Sequence, residues 1–238
     1  RPVTVLGSAA MYIRVDGTAD GAARDAARSI GHQVKAASSR RGVAHIAVSG
    51  GRTPARMFGF MAELDLPWDV LHVWQVDERV APAGDPARNL GLLDVLPVPD
   101  GHIHAMPVEQ DDLRKAIWKF KATLPEVFDV VHLGMGADGH TASWPPGDPV
   151  VDTPSSIGIS QEYQGHLRLT FTPRVVNAAR TRVVLVTGAD KAPVLRRWVE
   201  RDKSLPISLV HRSDTLVIVD EAAAAELPDI ATVHRGAD

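Results

Sequence analysis

The chain has no cysteine. Disulfides, thiolate nucleophiles and cysteine-bound metals are therefore excluded, and a cytoplasmic enzyme is the simplest expectation. It also lacks any apolar run of the roughly 18 residues that a membrane-spanning helix needs. The opening stretch, RPVTVLGSAAMYIRVDG, has a leading Arg but no apolar core of signal-peptide length. Long Lys/Arg tracts are missing: 26 Lys+Arg stand against 29 Asp+Glu, a net charge of −3 that disfavours nucleic-acid and polybasic membrane roles. No HExxH, GxxxxGK[ST] or GxGxxG motif is present, so neither a zinc protease, a P-loop nor a dinucleotide site is indicated. The 10 histidines include no convincing three-ligand set, and no metal or cofactor is expected.

What is present is the balance of an ordinary soluble protein, 45% hydrophobic and 23% charged over 238 residues. That length allows a sizeable core in one α/β domain, with room for a small subdomain. Apolar runs at 10–15, 43–49, 69–76, 129–134, 182–188 and 215–220 read as strands, and 166–172 (HLRLTFT) alternates like a partly exposed one. Between them, 18–39 places Ala19, Ala22, Ala23, Ala26, Ala27, Ile30, Val34 and Ala37 on one face of a long helix. Further helices are expected near Thr53-Pro54, with Thr53 as cap, and over 111–122, 190–200 and 221–226. Strands alternating with helices predict a mostly parallel sheet with helices on both faces. The stretch 144–165 reads as a long loop.

In such sheets ligands gather beyond the carboxyl ends of the strands. Three polar or glycine-rich turns fall there: SGGRTP (49–54), VDER (76–79) and GMGADGHTAS (134–143). Gly50 and Gly51 allow close backbone approach before a helix N-terminus, which suits a phosphate, though a plain tight turn explains them equally. Asp77-Glu78-Arg79 reads as a solvated charged turn or, through Arg79, as a two-point phosphate grip. Lys191 starts a helix after the strand at 182–188 and is either a point charge for phosphate or a solvated lysine. The sharpest signal is Gly134 to His140, where three glycines surround a carboxylate, Asp138, and an imidazole, His140, two positions apart. Histidine can take a proton from water and later return it. His45, His72 and His132 lie in or beside apolar strands and read as satisfied core or edge residues, whereas His102 and His104 read as loop residues.

Taken together, SGGRTP, VDER with Asn89, GMGADGHTAS, RLTFT with Asn177, TGADKAPVL and VDEAAAAEL resemble the 6-phosphogluconolactonase family in kind and order, over about residues 47–226. The resemblance implies a fold like that of glucosamine-6-phosphate isomerase and ribose-5-phosphate isomerase. It also implies metal-free hydrolysis of 6-phosphogluconolactone in the oxidative pentose phosphate pathway. On that reading His140 is the base and then the acid, and Asp138 orients the site or holds sugar hydroxyls. Gly50, Gly51, Thr53, Arg79, Lys191 and, more weakly, Arg168 bind the phosphate. Asn89 binds a sugar hydroxyl, and the Gly134 and Gly136 amides are oxyanion donors. The partner is the small phosphosugar lactone, with no nucleic acid or membrane, acting on a monomer or small homo-oligomer.

Two departures stand out: Arg52 lies where the family usually has Ser, and Trp144-Pro145 replaces Leu-Phe. The isomerase/deaminase branch carries a Glu a few residues beyond its DGH, and TASWPPG (141–147) has no carboxylate. A non-catalytic sugar-phosphate sensor is the remaining alternative. It would usually carry a DNA-binding module, and no helix-turn-helix is evident before residue 43.

Overall fold

The computed structural model describes residues 3–6 and 11–228. The period-two pattern of the apolar runs decides the architecture. On the strand β3 (Ala44–Val48), Ile46 and Val48 face one core while Ala47 faces another. The same split recurs on β7 (Val130–Leu133), β10 (Thr181–Val186) and β11 (Thr215–Asp220), so both faces of the sheet must be covered. With β1 (Val3–Leu6), β2 (Met11–Asp16), β4 (Leu71–Gln75) and β6 (Ile103–His104), these strands form an eight-stranded sheet in the order β1-β2-β11-β10-β7-β3-β4-β6. Every pairing is parallel except β1 with β2.

One face is covered by α1 (Ala19–Arg41) and α2 (Arg52–Ala62). Thr18 caps α1 by accepting from the Gly21 N–H, and Gly42 ends it in a left-handed turn. The other face takes α3 (Leu113–Lys121), α4 (Pro173–Ala178), α5 (Ala192–Val199) and α6 (Glu221–Ala224). It also takes a three-stranded antiparallel sheet of β5 (Asp77–Arg79), β9 (His166–Phe171) and β8 (Ile157–Tyr163), in the order β5-β9-β8. The two sheets join at Val76, whose N–H bonds Val48 of β3 and whose carbonyl accepts from Phe171 of β9.

Several expectations are corrected. Asp77 and Glu78 are buried strand residues, not a solvated turn. The loop read at 144–165 ends at Ser156, and the residues from Ile157 to Tyr163 form β8. The partly exposed strand read at 166–172 is β9, with Leu167 exposed and Arg168 to Phe171 buried, Leu169 and Phe171 by packing into the core. Helix α2 starts at Arg52, so Thr53 lies inside the first turn, and its hydroxyl pairs with that of Thr187 instead of capping. His104 belongs to β6, with its ring stacked on Trp74 at 3.8 Å and 3.0 Å from the His72 ring nitrogen. His132 is buried, but neither ring nitrogen has a hydrogen-bond partner.

Candidate active site

From β3 the chain steps outward to β4 and β6, and from β7 it steps the other way to β10 and β11. The direction reverses between β3 and β7, and the crevice beyond the carboxyl ends of strands at such a point is where ligands bind. A cavity of about 260 Å³ opens there, lined by the exits of β3 (Ser49–Thr53), β4 and β5 (Asp77, Arg79), β7 (Gly134–Gly136) and β10 (Thr187).

The β3 exit is shaped by contact. A Cβ on Gly50 would collide with the Asn89 side chain, and Gly51 adopts a φ of 116°. The tight turn brings the N-terminus of α2, which has no side-chain cap, to the cavity, and the free amides and partial positive charge of a helix start favour an anion there. Arg52, Arg79, Arg168 and Lys191 line the same cavity, so a chain with a net charge of −3 carries a cationic pocket. Burial, and then the charge of Arg79, lowers the pKa of the Arg168 guanidinium.

Arg79 is held in place by a buried frame. Its Nη1 donates to the carbonyl of Ala87 and to Asn89 Oδ1, each at 2.8 Å. Asn89 donates in turn to the Asp77 carbonyl, so both ends of its amide are engaged with protein. The Glu78 carboxylate, fully buried, accepts from Gln75 and from the backbone N–H groups of Arg79, Asn89 and Leu90. Four donors explain how a carboxylate can sit in the core. Asp77, which reads in the sequence only as part of a charged turn and not as a site residue, lines the cavity and accepts from Ser143 at 2.6 Å.

The β7 exit carries the titratable groups. His140 lines the cavity, and its Nδ1 lies 2.6 Å from Asp138 Oδ1. An ionised carboxylate only accepts, so Nδ1 carries the proton, and in the neutral imidazole Nε2 keeps its lone pair. Asp138 Oδ1 also accepts from the His140 N–H, and Oδ2 accepts from the Tyr163 hydroxyl at 2.7 Å. Burial alone would raise the Asp138 carboxyl, but the hydrogen bonds from Tyr163 and His140 outweigh it and hold the group below its ordinary range. Asp138 is not among the cavity-lining residues; it stands behind His140.

Gly136 fits beneath the imidazole because a Cβ there would collide with His140. Its N–H donates to the His140 carbonyl at 2.8 Å, so this amide is committed inside the turn. The expectation that Gly136 donates to an oxyanion is therefore corrected, and Gly134 is the remaining member of that pair. Lys191 reaches the cavity and bonds Asp190 at 2.7 Å. Thr53, Gly50, Gly51, Asn89 and Arg168 all line the cavity with His140. Among the described residues, no group of three or more His, Asp or Glu is arranged to hold a metal ion.

Residues 17–219 match the family model for glucosamine-6-phosphate isomerases/6-phosphogluconolactonase. The chain belongs to that family. A 6-phosphogluconolactonase of Synechocystis is 35% identical over 178 residues, 68% of this chain and 74% of the relative. Another of Nostoc is 32% identical over 201 residues, 76% of this chain and 84% of that one. The crystal structure of a 6-phosphogluconolactonase from Shewanella baltica superposes with a TM-score of 0.78 at 25% identity, covering 87% of this chain and 96% of the other. The chain is thus an enzyme of carbohydrate metabolism, and these relatives place it on the hydrolase side of the family. No helix among the described residues is long and apolar enough to cross a membrane.

Proposed function

We propose that the protein hydrolyses 6-phospho-D-glucono-1,5-lactone to 6-phospho-D-gluconate, in the oxidative pentose phosphate pathway of the cytoplasm, using water activated by His140. The carrying observation is one imidazole facing a cationic cavity with its Nδ1 tied to a carboxylate. A lactone carbonyl is already electrophilic, so water placement, proton removal and charge stabilisation suffice. His140 Nε2 takes a proton from water as the oxygen adds to the carbonyl carbon. The tetrahedral oxyanion then collapses, the ring C–O bond breaks, and Nε2 returns the proton to the leaving ring oxygen. Asp138 keeps the proton on Nδ1 and stabilises the imidazolium between the two transfers.

The substrate phosphate lies among the α2 N-terminus, Thr53, Arg79, Lys191 and Arg168, with Gly50 and Gly51 giving it room. Asn89 positions Arg79, and Gly134 supplies an N–H to the oxyanion. The test is acid release from freshly prepared lactone, measured above its spontaneous hydrolysis. Wild type is expected to accelerate it and His140→Ala to lose nearly all of that acceleration. A His140→Ala enzyme at full speed would overturn the assignment.

A further inference from the structure

We infer that Tyr163 is a positioning residue for the reaction, holding the Asp138–His140 pair in register from the β8–β9 hairpin. The inference rests on the catalytic reading of His140 and concerns a residue with no sequence signal, 23 positions from His140 and on the small antiparallel sheet.

The geometry is specific. The Tyr163 hydroxyl donates to Asp138 Oδ2 at 2.7 Å, while Asp138 Oδ1 accepts from His140 Nδ1 at 2.6 Å. A carboxylate with one oxygen on each partner cannot rotate about its Cβ–Cγ bond without breaking a charge-assisted hydrogen bond. The hydroxyl stands 3.3 Å from Nδ1, and the phenol ring meets the imidazole edge-on at 5.3 Å. Tyr163 therefore limits both the carboxylate torsion and the tilt of the ring. It is not among the residues lining the cavity, so it acts through Asp138 and His140 and not on substrate.

The hydroxyl stays protonated. Burial, followed by the hydrogen bond to Asp138, raises its pKa to about 12, so it remains a donor across the working range of an enzyme. The tyrosine is itself anchored. It ends β8, and the turn at Gln164-Gly165 reverses the chain with both residues at positive φ. Buried Arg168 donates from Nη2 to the Gln164 side chain at 3.2 Å and to the Tyr163 carbonyl at 3.4 Å, with its guanidinium 5.2 Å from the centre of the phenol ring. The order of support is Arg168, then Tyr163, then Asp138, then His140.

The decisive variant is Tyr163→Phe, which removes one oxygen and keeps the ring. It is expected to lower kcat about 3- to 10-fold with KM nearly unchanged, the size of one lost hydrogen bond. In a His140→Ala background the same substitution is expected to cost nothing further, whereas a merely structural tyrosine would cost the same in both backgrounds. A second readout needs no turnover. The Nδ1-bound proton of His140, identified by its absence from the spectrum of His140→Ala, should broaden by exchange in Tyr163→Phe. An equal loss in both backgrounds, or an unchanged proton signal with unchanged kcat, overturns the inference. Full activity of His140→Ala would instead overturn the catalytic reading and the inference with it. Loss in wild type alone, with broadening, supports both.

Discussion

Two histidines near the end of β7 have opposite fates. His132 is the third residue of β7, sealed between the sheet and Phe58, with neither ring nitrogen bonded. His140, past the strand's end, faces the cavity with a carboxylate on its inner nitrogen. Burial pushes the pKa of His132 down to about 3, which makes it a neutral apolar disc. The contrast shows that a chemically competent histidine needs two things at once: an oriented partner on one nitrogen and open space at the other. The half-buried pair His72 and His104 has linked ring nitrogens but no carboxylate among the described residues bonded to either ring, and so lacks the oriented charged partner that His140 has.

The largest expected effect would separate the two histidines directly. His140→Ala should lower kcat by about 10²–10⁴-fold while leaving the urea midpoint nearly unchanged. Steady-state proton release and urea denaturation on the same preparation measure both. Next comes Arg79→Ala, which should weaken binding of the phosphorylated lactone by about one to two orders of magnitude, because charge-assisted bonds contribute roughly 1.5–3 kcal/mol each. Lys191→Ala should cost less, since an ammonium is a flexible point charge. Unphosphorylated gluconolactone should be a poor substrate and nearly indifferent to Arg79→Ala. An equal loss on both lactones would mean that Arg79 serves the reacting carbonyl or the fold.

The buried side of the comparison gives a smaller effect of another kind. His132→Leu should leave kcat alone and change stability at pH 7 by no more than about 1–2 kcal/mol, in the stabilising direction, because leucine brings no unpaired nitrogen into the core. The folded pKa of His132, about 3, and that of His104, about 4, lie below the ordinary 6.5. The unfolded chain therefore binds more protons than the folded one as pH falls from about 6.5 towards 4, and stability declines across that window. Urea midpoints at pH 7 and pH 5 should show this decline, and His132→Leu should make it shallower. A steeper decline in the variant would contradict the assignment. The smallest expected effect is none at all: exhaustive chelation should leave activity unchanged, and activity restored by a divalent ion after a loss would show a site that the geometry does not reveal.

Much of this molecule is legible in its sequence because the parallel strands are runs of buried apolar residues. Strands such as β7 and β10 announce themselves in that way. The small sheet does not. Strand β5 is three charged residues, made strand-like only by pairing with β9, and Glu78 survives burial through donors that include the backbone of Asn89 and Leu90. Strand β6 is two residues long and reads as loop until β4 supplies its partner. At the site, the glycines and His140 carry local signatures. The brace role of Asn89 and the hydroxyl of Tyr163 depend on contacts between segments that no local pattern encodes, and the engaged amide of Gly136 follows from a turn geometry that the glycines permit but do not spell out.

The placement of the cavity at the reversal of strand order has a practical consequence. Its walls come from separate stretches of chain between Ser49 and Lys191, delivered by strands of both sheets and by the loops between them. No fragment of the polypeptide holds enough of these walls to assemble the pocket by itself. Catalytic competence is therefore a collective property of the assembled strands and loops, and turnover doubles as a gauge of whether that assembly as a whole is intact.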